Sequence, residues 1–556
     1  MRCMSSIDFH RPVLGTFDSR KYVEDVFSFM RNSERIFDSK SKHIFYELET
    51  VSLQPCILGE DAESLFVDIQ MSNYCHNSEQ KRADNLLELL VFINRSTPVG
   101  LLRLEYLNNR LAITDLRLVQ QEDEIEIISG VLRVLGSWVF EHLGIEDFEV
   151  ELNRDFRNKV LESPKLIFKK SISGEESSTL IVEAKPVEPR DVKLILTAGP
   201  SITPIERSFA SRAAAFGWNA HHSDFISEFE NEFAQYVGAK YAISTSSCTG
   251  ALHLSLLALN IGPGDEVIVP DITWVATASA ISYVGATPVF ADVDSQSWTI
   301  DPDSITRLIS PKTKAIIPVH LYGHAANMES IMKLARENNL YVVEDAAPAI
   351  GTLIESRAAG TFGDFGCYSF QGAKMLVTGE GGMIVTNSEL LYEKVKKLQD
   401  HGRVPGSFWI DTLGRKYKIS NVAAAIGLAQ LTSVERQIER KREINSLYRE
   451  KLTGDSRVTF QEEISDSRSI CWMTSITLEN SNRTDLFNFL KQKGIDTRPT
   501  FPSISAYPIW GDHVKHESER SHFIGEYGIN LPSGVNLTRN KVFYVADAIL
   551  DYLKKI

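Results

Sequence analysis

At 556 residues the chain exceeds what one hydrophobic core holds and calls for about three or four domains. A composition of 43% hydrophobic and 24% charged residues excludes a disordered chain, and a formal net charge of −14 argues against a nucleic-acid surface. The six cysteines (Cys3, Cys56, Cys75, Cys248, Cys367, Cys471) form no CxxC pair and read as reduced thiols of a cytoplasmic protein, with no residue set assigned to a metal.

Asp8 and His10 interrupt the start of the chain where a secretion signal needs an apolar run. Helical spacing marks residues 19–37. Val99–Tyr106 and Leu111–Leu118 read as strands joined through Asn108-Asn109. Ile128, Val131, Leu132, Leu135 and Val139 then share one helix face, which stops at Gly144. A short strand at Phe148–Leu152, a helix at Arg154–Leu161 and a strand at Lys165–Lys170 follow. This order resembles the second half of the GNAT acyltransferase fold. The resemblance implies an acyl-CoA pyrophosphate, with acetyl-CoA as the cofactor, at a glycine-rich loop opening the first helix. Here that loop reads QQEDEIEIISG, and Glu122, Asp123, Glu124 and Glu126 would repel a pyrophosphate. An active acyltransferase and a GNAT-like domain without CoA both stay open. Residues 173–191, with SGEESS, Pro186 and Pro189, read as a linker in which Leu180–Val182 adds an edge strand.

From Tyr241 short apolar strands alternate with helices. Strands are expected near 241–245, 266–270, 287–292, 314–319 and 340–345, with helices near 248–259, 274–284, 302–309 and 327–337. That rhythm gives a mostly parallel sheet with helices on both faces, and ligands collect at the carboxyl ends of its strands. The charge-free stretch Ile272–Ala291 has the length of a membrane span. Its threonines and serines and the break at Gly285 to Pro288 read instead as a helix, a turn and a strand.

Three features fall at strand ends. Thr245 to Gly250 offers hydroxyls and helix-terminal amides to an anion. Glu344-Asp345 places acids at the end of YVVED, and Trp274 places an aromatic face just past VIVPD. The fourth element is GDFGCYSFQGAKMLVTGEGG, residues 363–382, where a lone Lys374 stands among small and hydroxyl residues. A desolvated lysine is a nucleophile for carbonyl chemistry. An anion cradle, a stacking ring, a carboxylate and a lysine are together what pyridoxal phosphate requires.

Those stretches, with VVEDAAPAIG and KYKISNVAAAIGLAQL, make residues 197–556 resemble the DegT/DnrJ/StrS sugar aminotransferases. The resemblance implies a fold-type I architecture, with a large domain at 192–390 and a small α+β domain at 391–556 after a first domain at 1–172. It makes Lys374 the lysine bonded to pyridoxal 5′-phosphate and Asp345 the partner of the ring nitrogen. Trp274 would stack on the ring, and Cys248, Thr249 and Ser369 would hold the phosphate. Cys248 replaces a glycine of the family, and Pro348 stands where many members carry a polar residue. Lys416 stands where the family often has an asparagine reaching the phosphate of the partner subunit, so a homodimer with shared sites is implied. His320, Arg403 and Arg498 are candidate substrate contacts, with a satisfied core histidine the favoured reading of His320. The helical run Ser433–Leu452 is expected to keep its charges in water.

The activity implied is transfer of an amino group from glutamate to a nucleotide-linked ketosugar, without membrane or nucleic acid. Family members that dehydrate sugars carry histidine at the lysine position, and Lys374 points away from them. A bifunctional aminotransferase and N-acyltransferase, and a cofactor-binding regulator without turnover, are the alternatives.

Overall fold

The computed structural model describes eight strands between Ser52 and Glu183 as backbone, and the chain from Leu194 onward except residues 405, 480–481, 512–513 and 556. It divides into two compact units, one built mainly of residues 17–192 and the other of residues 212–556.

In the first unit the strands are β1 (Ser52–Leu58), β2 (Leu65–Met71), β3 (Leu86–Ile93), β4 (Thr97–Leu107), β5 (Arg110–Leu118), β6 (Asp147–Asn153), β7 (Phe168–Ser173) and β8 (Ser177–Glu183). They form one sheet in the order β1-β2-β3-β4-β5-β6-β8-β7, in which β5 and β6 run parallel and the other neighbours antiparallel. Leu107 pairs with Arg110, the register expected of strands joined through Asn108-Asn109. The strand expected at Leu180–Val182 is not at an edge. As part of β8 it pairs with β6 on one side and β7 on the other. β7 ends at Ser173 and β8 begins at Ser177, so part of the segment read as a linker is strand. The helices expected at 19–37, 128–139 and 154–161 and the acidic segment 120–130 lie outside the described residues.

The second unit is organised by a seven-stranded sheet. Its strands are β9 (Tyr241–Thr245), β10 (Glu266–Pro270), β11 (Thr287–Ala291), β12 (Thr313–Ile316), β13 (Tyr341–Asp345), β16 (Phe365–Ser369) and β17 (Gly382–Thr386). The two short strands between β13 and β16 are β14 (Leu353–Ile354) and β15 (Arg357–Ala358). The order is β11-β10-β12-β13-β16-β17-β9, parallel from β11 to β16, with β17 antiparallel to both its neighbours. Helices Cys248–Ala258, Ala276–Tyr283, Pro302–Leu308 and Met328–Glu337 follow the expected rhythm. Strands buried on both faces need apolar runs rather than alternation, which is what EVIVP and TPVFA supply. The charge-free stretch resolves into helix Ala276–Tyr283, a turn at Gly285 and β11, and no described helix is long and apolar enough to cross a membrane.

The carboxyl-terminal part adds β18 (Val458–Phe460), β19 (Ser467–Arg468), β20 (Thr474–Leu478), β21 (Arg498–Pro499) and β22 (Gly528–Leu531). Four of these form the sheet β18-β20-β22-β21, while β19 pairs with β14. Helices Val434–Leu452 and Arg539–Leu553 cover a core that includes Tyr448, Phe460, Ile476 and Val545. The expectation of a solvated charged helix is corrected here. Glu435, Arg436 and Lys441 are buried, because the helix is covered on several faces. Glu435 accepts a 2.6 Å hydrogen bond from the Tyr236 hydroxyl, and Lys441 donates to the carbonyls of Trp472 and Ser533, each at 2.8 Å.

Candidate active site

Lys374 lies on the connection between β16 and β17. Backbone bonds close that loop: Phe370 donates to Gly381 (2.9 Å), Gly372 to Gly379 (3.0 Å) and Thr378 to Phe370 (2.8 Å). Gly379 has φ = 88°, a left-handed conformation that glycine adopts without steric cost. Burial pushes the pKa of the Lys374 amine down. The charges of Asp345 and Cys248 pull it partly back. The result is an amine more readily neutral than an exposed lysine, held near a carboxylate.

That carboxylate ends β13. Side chains alternate along a strand, so Glu344 and Asp345 serve opposite faces. Glu344 is fully buried and accepts from the backbone amides of Gly360 (2.8 Å), Phe362 (2.6 Å) and Gly363 (2.7 Å) and pairs with His320 Nε2 (3.1 Å). It is a clamp for the turn before β16. Asp345 is 5% exposed, accepts from the Thr277 hydroxyl (2.8 Å) and the Ala347 amide (3.1 Å), and feels the charge of Lys374. Burial raises its pKa, and those two hydrogen bonds work against the rise.

The anion cradle assembles beside them. Ser247 caps helix Cys248–Ala258 by accepting from Gly250 N–H at 3.0 Å. Cys248 and Thr249 occupy the first turn, where helix geometry leaves N–H groups without intrahelical partners. A Cβ on Gly382 would sit 2.6 Å from the Cys248 nitrogen, so β17 enters against this helix terminus at a distance only glycine permits. Gly382 pairs in register with Ser369, which brings the third predicted phosphate contact to the same place. Burial, then the Asp345 charge, keeps Cys248 a neutral thiol.

The aromatic side is larger than the sequence indicated. Trp274 is 59% exposed and lies 5.7 Å from the ring of Phe501. Phe501 stacks on Tyr322 at 5.3 Å, and Tyr322 lies 6.3 Å from Trp472. Trp472 in turn carries Lys374 Nζ over its ring at 4.1 Å. Tyr322, Phe501, Trp472 and Thr277 were not singled out from the sequence, because the long-range approach of 472 and 501 to 322 and 374 has no local signal. Tyr322 is also a buried non-glycine residue at φ = 54°, a conformation that costs energy and clusters at functional sites.

The outer candidates separate. Lys416 and Arg403 both reach Asp400, at 3.2 and 2.7 Å, on an exposed segment. Arg498 is exposed on β21, paired in register with Asn530. His320 is fully buried, its Nδ1 accepts from the Ala326 amide at 3.1 Å and its Nε2 faces Glu344. Both ring nitrogens are occupied, so the reading of His320 as a substrate contact is replaced by a structural role.

A neutralisable amine, a buried carboxylate, a helix terminus with hydroxyls and an exposed indole face fit the aldehyde, ring nitrogen, phosphate and ring plane of pyridoxal phosphate. Comparison with known proteins points the same way. The chain is similar to GDP-perosamine synthase of Escherichia coli O157:H7, 40% identical over 364 residues that span 65% of this chain and 99% of that protein. The GDP-perosamine synthase of Caulobacter vibrioides is 37% identical over 65% of this chain and 98% of its own length. The structure of DesI with its TDP-sugar product superposes with a TM-score of 0.60, at 28% identity, over 66% of this chain and 94% of that one. The model of the DegT/DnrJ/EryC1/StrS aminotransferase family matches residues 202–550, and the chain belongs to that family.

Proposed function

We propose that this protein transfers an amino group from glutamate to the ketone of a nucleotide-linked 4-keto-6-deoxy sugar, for a surface polysaccharide or other glycoconjugate. The observation that carries the reading is the meeting of Lys374, Asp345 and the Cys248 helix terminus at the carboxyl-end side of the large sheet. The relatives named for GDP-perosamine and TDP-sugar chemistry support the nucleotide-sugar class.

Bound here, pyridoxal phosphate supplies an electron sink for the carbanion left when the donor loses its α-proton. Lys374 Nζ removes that proton and returns it when the acceptor is aminated, a task suited to an amine whose pKa burial has lowered. Asp345 would hold a proton on the cofactor's ring nitrogen, and Thr277 fixes the orientation of that carboxylate. Amides at Cys248 and Thr249 and the Ser369 hydroxyl would hold the phosphate. Trp274 covers the ring. Arg403 or Arg498 is the candidate to bind a carboxylate or the diphosphate of the substrate.

The active form is a homodimer in which Lys416 reaches the partner's phosphate. Phe408 and Leu413, 95% and 84% exposed, lie on the same segment as Lys416 and support burial against a second copy. The test is incubation with glutamate and a panel of nucleotide-linked 4-ketosugars, with products followed by mass spectrometry. An amino sugar and 2-oxoglutarate in equal amounts are expected. No product from any ketosugar, with 2-oxoglutarate still released from glutamate, contradicts the substrate class.

A further inference from the structure

Trp472 reaches the lysine loop twice. Its ring face lies 4.1 Å from Lys374 Nζ, and its indole N–H donates to the Ala373 carbonyl, one residue before the lysine, at 2.8 Å. The tryptophan itself is held. It is 6% exposed, Tyr322 lies beside its ring at an interplanar angle of 28°, and its own carbonyl accepts from Lys441. Lys441 bonds the Ser533 carbonyl as well, so one buried amine ties Trp472 to the segment after β22.

Burial shifts Lys374 towards its neutral form, against the charges of Asp345 and Cys248. A lysine that carries a proton between two carbons must also be stable while it holds that proton. An aromatic face attracts an ammonium through its quadrupole and has no basic site to take the proton away. We propose that Trp472 is a positioning residue for Lys374: its indole face receives the protonated amine whenever that amine is not covalently bonded, and its N–H fixes the backbone beside it. The inference rests on Lys374 being the reactive amine.

The experiment reads the amine directly. In cofactor-free, full-length protein, trace acetylation with acetic anhydride over a pH series, quantified on the Lys374 peptide, gives the amine's titration midpoint. Removing a desolvated cation–π contact in Trp472→Leu lowers that midpoint by about one pH unit. Trp472→Phe, which keeps a ring face and loses the N–H, lowers it by less than half as much. Replacing tryptophan throughout by monofluorinated and then more fluorinated analogues keeps the shape and lowers the midpoint stepwise. Those proteins decide the question if the leucine variant does not fold.

A midpoint unmoved in the leucine variant and by fluorination overturns the proposal. Equal falls in the leucine and phenylalanine variants without fluorine dependence assign the effect to the N–H bond and overturn the role of the ring. An error in the assignment of Lys374 itself would show separately, as cofactor attached to another lysine.

Discussion

The ends of β13 and β16 and the segment 400–418 both gather acids and bases, in opposite states. At the strand ends Asp345 is buried and Lys374 half-buried, and burial shifts each towards its neutral form. On the segment, one carboxylate, Asp400, faces Arg403, Lys416 and Lys418 at 2.7, 3.2 and 3.5 Å. Partial burial works against ionisation of Asp400, yet hydrogen bonds from Arg403 and Lys416 and the lysine charges together hold its pKa at about 2. Three cations about one anion leave an excess of positive charge, on a segment that also exposes large apolar side chains. Asp345, Lys374 and Trp472 of the first region come from one chain. The second is an exposed surface of cations and apolar side chains.

The largest effect expected on either region is at Asp345. Asp345→Asn keeps the volume but cannot hold the ring nitrogen protonated, and losing a preorganised charge at a developing charge costs about a thousandfold in kcat. Near-normal turnover with glutamate would remove Asp345 from its role. Lys416→Ala tests the second region. As the loss of one phosphate contact it lowers retention of pyridoxal phosphate by roughly tenfold. Mixing it with Lys374→Ala subunits restores activity, because one site of each hybrid regains both lysines. No recovery after verified subunit exchange contradicts the shared site.

Thr277→Val removes the hydroxyl that donates to Asp345 and lets burial act on that carboxylate with less opposition. A loss of about 1–1.5 kcal/mol, roughly tenfold in kcat, is expected. An unchanged kcat would make Thr277 a packing residue.

The smallest effect concerns Asp271, a second buried acid at the end of β10, which accepts from Ser503 and Ser505. Burial raises its pKa from 3.8 to about 6, against those serine hydrogen bonds. A folded-state pKa above the unfolded one contributes stability that is full below pH 3.8 and lost as pH rises through 6. The stability of the native protein relative to Asp271→Asn therefore falls between about pH 4 and 6 and is level above. A difference that is flat or rising across this window contradicts the assignment. Denaturant unfolding at several pH values measures it.

Much of the first region was legible in the sequence. Lys374, Asp345 and the Ser247–Gly250 turn are local patterns of residue type, and the strands of the large sheet announce themselves as apolar runs. β16 and β17 were less legible, since FGCYS and GMIVT carry glycines that read as turn. Trp472, Phe501 and Tyr322 were not legible, because their grouping depends on approaches of more than a hundred residues in sequence. His320 could be read either way from its strand-end position, and the structure agrees with the favoured reading of a satisfied core histidine, its Nε2 facing the buried Glu344 carboxylate on the neighbouring strand. The charges of Val434–Leu452 misled, because a charged helix reads as solvated unless the backbone carbonyls it will meet are known.

The central claim is that Lys374 is the amine that takes the cofactor's aldehyde. Borohydride reduction of the purified protein with pyridoxal phosphate, followed by peptide mapping, tests it most directly. The account predicts a single phosphopyridoxyl label on Lys374, absent in Lys374→Ala. A label on another lysine, or none in protein that retains the cofactor's absorbance, contradicts it.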